Sequence, residues 1–305
     1  MSLGMLWKPK GLGSQDALAK LKKELDLPGR SREGIGHCGI LDPFAEGWLL
    51  VGTEEATKLL NPLTSLDKVY EATIYLGATT DTLDNTVDQI LPEGTVKDGM
   101  LRWMNRPQEV LEAELEEFLS HYQNLEITQI PPKYSAVKVD GKRAYNLARF
   151  EGITPELKPK QVKIYQSQHL GLRRVSDEAL EWDVRVHVST GTYIRVLAKD
   201  WGTELCHFPG HLTRLKRTQV GPFASSAGRP EEGFHPLSIE DTKSVFDIHY
   251  LTESEARRLR NNGQWQPRPH PKPILLVGPE DMGVVAWTQA ESGKIGRVFK
   301  KNPLS

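Results

Sequence analysis

The chain is organised around twelve residues, Gly36-His37-Cys38-Gly39-Ile40-Leu41-Asp42-Pro43-Phe44-Ala45-Glu46-Gly47. Glycine is too frequent here for a helix and proline breaks a strand, so the stretch predicts an ordered loop. Asp42 precedes a proline, which restricts its backbone to extended geometry. A carboxylate on a stiff loop, five residues after a histidine, is either a reactive group or a turn-forming residue. The Asp-Pro pair alone favours the turn, since aspartate readily bonds its own backbone.

The composition is that of a globular chain with one large domain and room for a small appendage. It has 305 residues, 38% of them hydrophobic, and seven tryptophans, which suffices for a sizeable core. Its apolar runs are shorter than the roughly 20 residues that span a bilayer, and the N-terminus lacks the layout of a secretory signal. Two cysteines fit a reducing compartment. We therefore expect a cytoplasmic protein without a membrane segment.

Charge is segregated along the chain although the net charge is only −1. Residues 108–126 contain six glutamates and no lysine or arginine, whereas residues 133–149 contain five basic residues and one aspartate. Residues 214–217, Arg-Leu-Lys-Arg, form a second basic run. This pattern predicts a basic face for a polyanion rather than a protein that coats nucleic acid indiscriminately. For any single patch, ordinary solvated surface is the alternative interpretation.

Hydrophobic periodicity predicts alternating helices and strands. Helices are expected at residues 14–27, with Ser14 as the N-cap, and at residues 107–122, 194–205, 211–217 and 252–263. Strands are expected at residues 67–76, 162–170, 182–188, 274–277, 283–288 and 295–300.

Four features could form one site: Asp42, Tyr70 on an alternating strand, the Tyr193–Arg195 junction, and the basic segment containing Leu215. Tyrosine rings stack on nucleobases, which contributes about 1–3 kcal/mol per base. A carboxylate can act as a nucleophile, and a neighbouring arginine favours its ionised form. Tyr70 could equally be a core residue, since strand tyrosines are commonly buried. The residues alone leave both interpretations open.

The chain resembles the TruB family of tRNA pseudouridine-55 synthases in eight blocks that follow the family's order. They are residues 8–11, 36–47, 55–58, 67–70, 76–84, 131–138, 191–195 and 215–218. The resemblance implies an α/β pseudouridine synthase fold on a mixed, largely antiparallel sheet. It places the catalytic domain at residues 1–248, with an RNA-clamping segment at about 131–150. Residues 249–305 resemble, more loosely, a small C-terminal PUA-like RNA-binding β domain.

The resemblance also implies roles for individual residues. Asp42 matches the catalytic aspartate, Arg195 the arginine paired with it, and Tyr70 the tyrosine that stacks on uracil and assists proton removal at C5. The implied substrate- and RNA-binding residues are His37, Tyr193, Leu215, Lys8, Lys10, Lys133, Lys138, Lys216 and Arg217. Among them, Tyr193 and Leu215 match residues that line the uridine pocket.

The implied activity is isomerisation of uridine-55 in the TΨC arm of tRNA by a cytoplasmic monomer. The resemblance implies no cofactor, no metal and no obligatory protein partner. One alternative is a non-catalytic tRNA-binding or folding factor on the same scaffold. Another is a carboxylate-dependent glycosidase, which would need a second acid, and Glu46 is the candidate.

Four positions in residues 36–47 depart from the common family pattern. Cys38, Ile40, Phe44 and Glu46 stand where the family commonly has threonine, threonine, leucine and threonine. The charged and aromatic positions are retained, so we expect the chemistry to survive and the loop packing and local RNA contacts to differ.

Overall fold

A computed structural model describes residues 2–29, 34–135, 137–139, 142–150, 152–153, 156–224, 233–279, 282–300 and 302–304. The chain divides into two compact units, one formed by Met1–Leu66 with Gln219–Ser305 and the other by Asp67–Thr218. This division does not coincide with the boundary expected between residues 248 and 249. The two ends of the chain belong to one unit, and the middle of the chain forms the other.

The described chain contains strands throughout its length. They are β1 Leu3–Lys8, β2 Ile35–Cys38, β3 Glu46–Thr53, β4 Lys68–Leu76, β5 Thr79–Thr80, β6 Gln89–Ile90, β7 Leu125–Gln129, β8 Lys138–Val139, β9 Lys142–Arg143, β10 Lys160–Ser176, β11 Ala179–Val188, β12 His211–Val220, β13 Phe223–Ala224, β14 Phe234–Pro236, β15 Asp247–Tyr250, β16 Ile274–Val277, β17 Val284–Thr288 and β18 Ile295–Val298.

The helices alternate with these strands. They are α1 Ser14–Glu24, α2 Leu60–Leu63, α3 Gly94–Met104, α4 Gln108–Ser120, α5 Ala144–Phe150, α6 Ile194–Cys206, α7 Ile239–Thr242 and α8 Glu253–Asn262, with a 3₁₀ helix at Glu54–Leu59. Within the described ranges, no helix combines the length and the apolar character that crossing a membrane requires.

The unit formed by the chain ends contains two sheets. Strands β14, β1, β3 and β2 pair antiparallel in that order, and β15–β18 form a separate four-stranded sheet. One hydrophobic core includes residues of both sheets, among them Leu3, Trp48, Leu275, Trp287 and Phe299, all buried. The expected C-terminal β-sheet is present, but its inner face packs in a core shared with the N-terminal strands.

The central unit is built on strands ordered β12-β4-β11-β10-β7. The β4–β11, β11–β10 and β10–β7 pairs are antiparallel, whereas β15 and β16 of the other unit are parallel. Helix α4 lies against β10 and α6 against β4, with buried Trp182 and Trp201 rings 5.7 Å apart. The expectation of a mixed, largely antiparallel α/β fold is confirmed.

Most predicted elements are found within a few residues of their expected limits, but the helix predicted at residues 211–217 is wrong. These residues form the first part of strand β12, which lies beside β4. Leu212 and Leu215 are buried, and a spacing of three fits a helix. The strand buries His211 and Arg217 as well, so pairing within the sheet outweighs the local apolar period.

Candidate active site

The Asp42 loop is held on its N-terminal side by Ser14. The Ser14 hydroxyl donates to Leu41 O (2.8 Å) and accepts from Leu41 N (2.9 Å). The prediction of Ser14 as the N-cap of α1 is therefore wrong. Gly13 occupies the N-cap position, because the serine oxygen bonds the loop rather than the first N–H groups of the helix.

Lys8 holds the other side of the loop. Its side chain is fully buried, and Nζ donates to Ala45 O (2.5 Å), Leu12 O (2.7 Å), Pro9 O (3.1 Å) and Pro43 O (3.4 Å). The assignment of Lys8 as an RNA-contacting residue stays a prediction. In this structure the buried ammonium, surrounded by carbonyls, acts as a brace inside the protein.

The loop itself contains a turn at Asp42. Ala45 N donates to Asp42 O at 3.1 Å, so the Asp-Pro pair does form a turn. The Asp42 side chain is half-buried between the buried Leu41 and Phe44. The turn and reactive interpretations are therefore compatible, because the hydrogen bond of the turn uses the backbone of Asp42 and not its carboxylate.

Two of the unusual residues of the loop are part of the core. Cys38 is buried, and its Sγ donates to Leu60 O at 3.1 Å, while Phe44 is 5% exposed. Ile40, by contrast, is 50% exposed. The substitutions at 38 and 44 thus change packing beneath the loop, whereas the one at 40 changes its outer surface.

The predicted RNA-contacting residues His37 and Lys10 lie near the same loop. His37 is half-buried on β2, and its Nε2 lies 3.0 Å from Gln15 Nε2 of α1. Lys10 is exposed. Both positions are compatible with the assigned roles, which remain predictions.

In the central unit, Arg195 is a buried arginine with fixed geometry. It lies in the first turn of α6 and is 4% exposed. Nη1 donates to Thr82 O (2.8 Å) and Nη2 to Tyr134 O (2.9 Å), and Nη1 is 3.9 Å from Asp84 Oδ2. Carbonyl acceptors and a carboxylate together fix the plane of the guanidinium.

Asp84 organises the loop that meets Arg195. Its carboxylate is buried and accepts from the Thr82 hydroxyl (2.7 Å), from Thr86 N (3.1 Å) and from the Thr86 hydroxyl. The sequence shows the signal, a threonine on each side of an aspartate at a spacing of two. It does not indicate that this carboxylate lies beside Arg195.

Tyr193 and Gln129 form a second anchor at the start of α6. Gln129 is 1% exposed; its amide oxygen accepts from Tyr193 N (3.0 Å), and its Nε2 donates to Tyr193 O (3.3 Å). Gln129 was not found from sequence, since no local pattern distinguishes it. Tyr70 on β4 and Leu215 on β12 are 8% and 5% exposed. The core interpretation of Tyr70 thus agrees with its burial, and its stacking role stays a prediction.

The start of the predicted clamp segment is tied to Asp81. Lys133 Nζ pairs with Asp81 Oδ1, the Tyr134 hydroxyl donates to Oδ2 (2.9 Å), and Lys133 Nζ lies 5.2 Å from the centre of the Tyr134 ring. The hydrogen bond from Lys133 lowers the pKa of Asp81. At the start of the clamp segment, the Asp81 carboxylate therefore bonds both the Lys133 ammonium and the Tyr134 hydroxyl.

The remaining basic candidates differ in their accessibility. Arg217 is 1% exposed, and its assignment as an RNA-contacting residue stays a prediction. Lys216 is half-buried. Lys138 lies in β8, but its side chain falls outside the described part of the structure.

His211 is a buried residue that the sequence did not single out for this site. Its Nδ1 lies 2.8 Å from Ala78 O, and its ring is 5.0 Å from that of Tyr75. Burial lowers the pKa of His211, which favours the neutral ring. Among the residues that the structure describes, no group of three or more His, Cys, Asp or Glu side chains could hold a metal ion.

Comparison with solved structures places the fold among the pseudouridine synthases. A Cbf5–Nop10–Gar1 complex superposes with a TM-score of 0.58 at 21% identity, covering 98% of this chain and 84% of that one. The archaeal box H/ACA Nop10–Cbf5 complex gives 0.58 at 18% identity, covering 99% and 85%. At these identities the comparison establishes the fold.

Sequence comparison identifies the family. The model of the TruB family pseudouridylate synthase N-terminal domain matches residues 30–194. Proteins named tRNA pseudouridine synthase B are similar over most of their length: 38% identity in Thermobifida fusca (94% of this chain, 93% of the relative), 41% in Mycobacterium sp. strain KMS (83% and 80%) and 34% in Corynebacterium jeikeium (97% and 92%). The chain belongs to the TruB family of pseudouridylate synthases and is an isomerase.

Proposed function

We propose that this protein converts uridine-55 in the TΨC arm of tRNA to pseudouridine, with Asp42 as the catalytic carboxylate. The relatives' name, tRNA pseudouridine synthase B, supports tRNA as the substrate. The observation that carries the role of Asp42 is its position on a turn braced from both sides, by Ser14 and by the buried Lys8. Such bracing favours catalysis because it holds a reacting group in place before the substrate arrives.

The proposed reaction begins with extrusion of the target uridine from its stack. The Asp42 carboxylate then attacks either C1′ or the uracil ring, and the N1–C1′ bond breaks. The base rotates and C5 bonds to C1′. The bond from Asp42 breaks, either as C5 displaces the carboxylate from C1′ or by elimination from the ring, so that the carboxylate is released. The proton on C5 is lost and N1 gains a proton. Substrate and product are isomers, so the balance requires no oxidant or reductant. Tyr70 stacks on the base and assists removal of the C5 proton.

Arg195 has a supporting role in this proposal. The family pairing of this arginine with the catalytic aspartate would keep the carboxylate ionised. Its anchoring by Thr82 O, Tyr134 O and Asp84 supports the role. A guanidinium fixed in this way loses little side-chain conformational entropy when it orients a partner. Tyr193 and Leu215 are proposed to line the uridine pocket.

The test is release of tritium from uridine labelled at C5 in a tRNA transcript. We expect wild-type protein to release tritium and Asp42→Asn to be slower by at least about 10³-fold, since nucleophile loss has effects of this size or larger. Asp26→Asn is the matched control, because Asp26 is exposed and its positive φ of 47° is tolerated by asparagine. Normal release by Asp42→Asn would refute the assignment.

Three further outcomes separate the alternatives. A transcript with cytidine at position 55 should release no tritium above background if position 55 is the target. A non-catalytic folding factor would bind and refold tRNA without any release by wild-type protein, and binding would not depend on Asp42. A glycosidase would liberate free uracil, whereas isomerisation leaves the base attached to the RNA.

A further inference from the structure

A polar residue, Gln129, is buried at the end of strand β7. Its side chain belongs to a residue that is only 1% exposed, whereas the apolar residues Leu125 of the same strand and Ile130, which follows it, are 38% and 61% exposed. Hydrophobic side chains normally take the buried positions, and a buried amide costs free energy unless it is hydrogen-bonded. The burial of Gln129 therefore indicates that its amide group serves a specific partner.

The partner is the backbone of Tyr193, the N-cap residue of α6. Gln129 Oε1 accepts from Tyr193 N at 3.0 Å, and Gln129 Nε2 donates to Tyr193 O at 3.3 Å. The same carbonyl accepts from Val196 N (3.1 Å) and Leu197 N (3.2 Å) inside the helix. Tyrosine is not a residue type that caps a helix with its own side chain. The position of this turn therefore depends on a contact from outside the helix.

A second contact joins the same two segments in the opposite direction. Arg195 Nη2 donates to Tyr134 O at 2.9 Å, so a side chain of the helix bonds the backbone of the segment that follows β7. In the first contact, a side chain of β7 bonds the backbone of the helix start. All of these residues belong to the central unit. The start of α6 and the residues that lead into the clamp segment are therefore held together at two points.

We propose that Gln129 is a positioning residue for the reaction: it fixes the backbone of Tyr193 and thereby the placement of the Tyr193 ring and the Arg195 guanidinium. A ring can be held against a substrate only if the main chain that carries it does not shift, and a displacement of about 1 Å can lower a rate about 100-fold. The inference rests on the proposed function, in which Tyr193 lines the uridine pocket and Arg195 supports Asp42. The neutral, buried amide of Gln129 acts only through these neighbours.

Gln129→Glu tests this role, because a carboxylic acid has the shape of the amide. Its protonated form has a donor and an acceptor and can make both bonds to Tyr193, whereas the ionised form only accepts and would repel Tyr193 O. Burial raises the pKa of such an acid above its ordinary value of about 4.3. We expect the rate of tritium release, divided by the wild-type rate at the same pH, to fall about 10- to 100-fold between about pH 5 and about pH 9. Gln129→Met, which can make neither bond, should be slow at every pH.

The rate is measured in single turnovers, with protein in saturating excess over a full-length tRNA transcript. The rate per bound tRNA then does not depend on the fraction of protein that is folded, so a loss of stability alone leaves it unchanged. Gln123→Glu is the matched control. Gln123 contacts the backbone of Ser167 in the same way, with Oε1 accepting from Ser167 N (3.3 Å) and Nε2 donating to Ser167 O (2.7 Å), in the same unit. Its rate should equal that of wild type at every pH.

The outcomes distinguish the positioning role from the catalytic proposal. Wild-type rates in Gln129→Met, and in Gln129→Glu at every pH, would overturn the positioning role and leave the activity intact. An equal loss in Gln123→Glu would also overturn it, and so would a weaker dissociation constant for tRNA with an unchanged saturated rate in the Gln129 variants. If wild-type protein released no tritium, the proposed function would be refuted, and the role of Gln129 would fall with it.

Discussion

At the scale of single residues, the Asp42 loop is held in place by two buried side chains, Lys8 and Ser14. The Lys8 ammonium lies within hydrogen-bond distance of two carbonyls of the loop, Pro43 O and Ala45 O, and of two in its own segment, Pro9 O and Leu12 O. Ser14 bonds both backbone polar groups of Leu41. A buried ammonium is stable only when its donors are all satisfied. The free-energy cost of burying the Lys8 charge is thus offset by hydrogen bonds to carbonyls, and the same hydrogen bonds hold the loop that carries Asp42.

The first prediction concerns this brace. Lys8→Met should lower the free energy of unfolding by about 3 kcal/mol, because it leaves buried carbonyls without a charged donor. It should also reduce the rate of tritium release, since the loop loses its support. Urea unfolding followed by circular dichroism measures the first effect, and single-turnover kinetics the second.

Lys10→Met is the control for this substitution. Lys10 lies two residues away and is exposed, so its loss should change stability by no more than about 0.5 kcal/mol. Equal stability of the two variants would show that the Lys8 ammonium does not support the loop.

At the scale of elements, the Asp84 loop depends on how strand β4 ends. Gly77 follows the strand with φ of 129°, and a Cβ placed there would lie 2.3 Å from Glu178 O. The contact is with backbone and cannot be relieved by a rotamer change. A glycine at this point therefore lets the chain turn from the sheet into the loop that carries Asp84 to Arg195.

The second prediction compares two glycines with positive φ. Gly77→Ala should destabilise the protein by about 3 kcal/mol or more, as backbone strain and a steric clash add. Gly94→Ala, at φ of 54° with open space around its Cβ position, should cost only the left-handed strain of about 1 kcal/mol. Thermal or urea unfolding of both variants gives the comparison, and a Gly77 variant no less stable than the Gly94 variant would contradict it.

At the scale of the whole molecule, the C-terminal segment is part of the unit that contains the Asp42 loop. Phe299, Trp287 and Leu275 share a core with Leu3 and Trp48. A fragment of residues 1–248 would expose the inner surface of this core. Burial of this extent accounts for a large part of a domain's stability, so we expect the fragment not to unfold cooperatively.

Point variants test the same expectation in the full chain. Phe299→Ala should cost about 3–5 kcal/mol, because the ring is fully buried. Tyr250→Ala is the matched aromatic control, since Tyr250 is 68% exposed, and it should change stability by no more than about 0.5 kcal/mol. A fragment of residues 1–248 with a cooperative urea transition and a Phe299 variant of normal stability would instead support an independent C-terminal domain.

Much of this architecture could be predicted because it is encoded locally. The alternation of Ala72, Ile74 and Leu76 marks β4, and the Thr252 capping box marks α8. Strand β12 could not be predicted, since its leucine spacing fits a helix and only its pairing within the sheet decides otherwise. The resemblance placed Lys8 in a segment that supports the Asp42 loop, but its burial was hidden, as a lysine in a glycine-rich loop has the same sequence signature whether exposed or buried.

By itself the sequence determined the family, the order of its motifs, the class of fold and the candidates Asp42, Tyr70 and Arg195, because these depend on residue identity and spacing. Only the tertiary structure decided which charges are available to a ligand. Lys8 and Arg217 are enclosed, Arg195 is fixed by Thr82, Tyr134 and Asp84, and the core joins both chain ends. The physical reason is that burial and hydrogen bonding arise from contacts between residues distant in sequence, which no local pattern records.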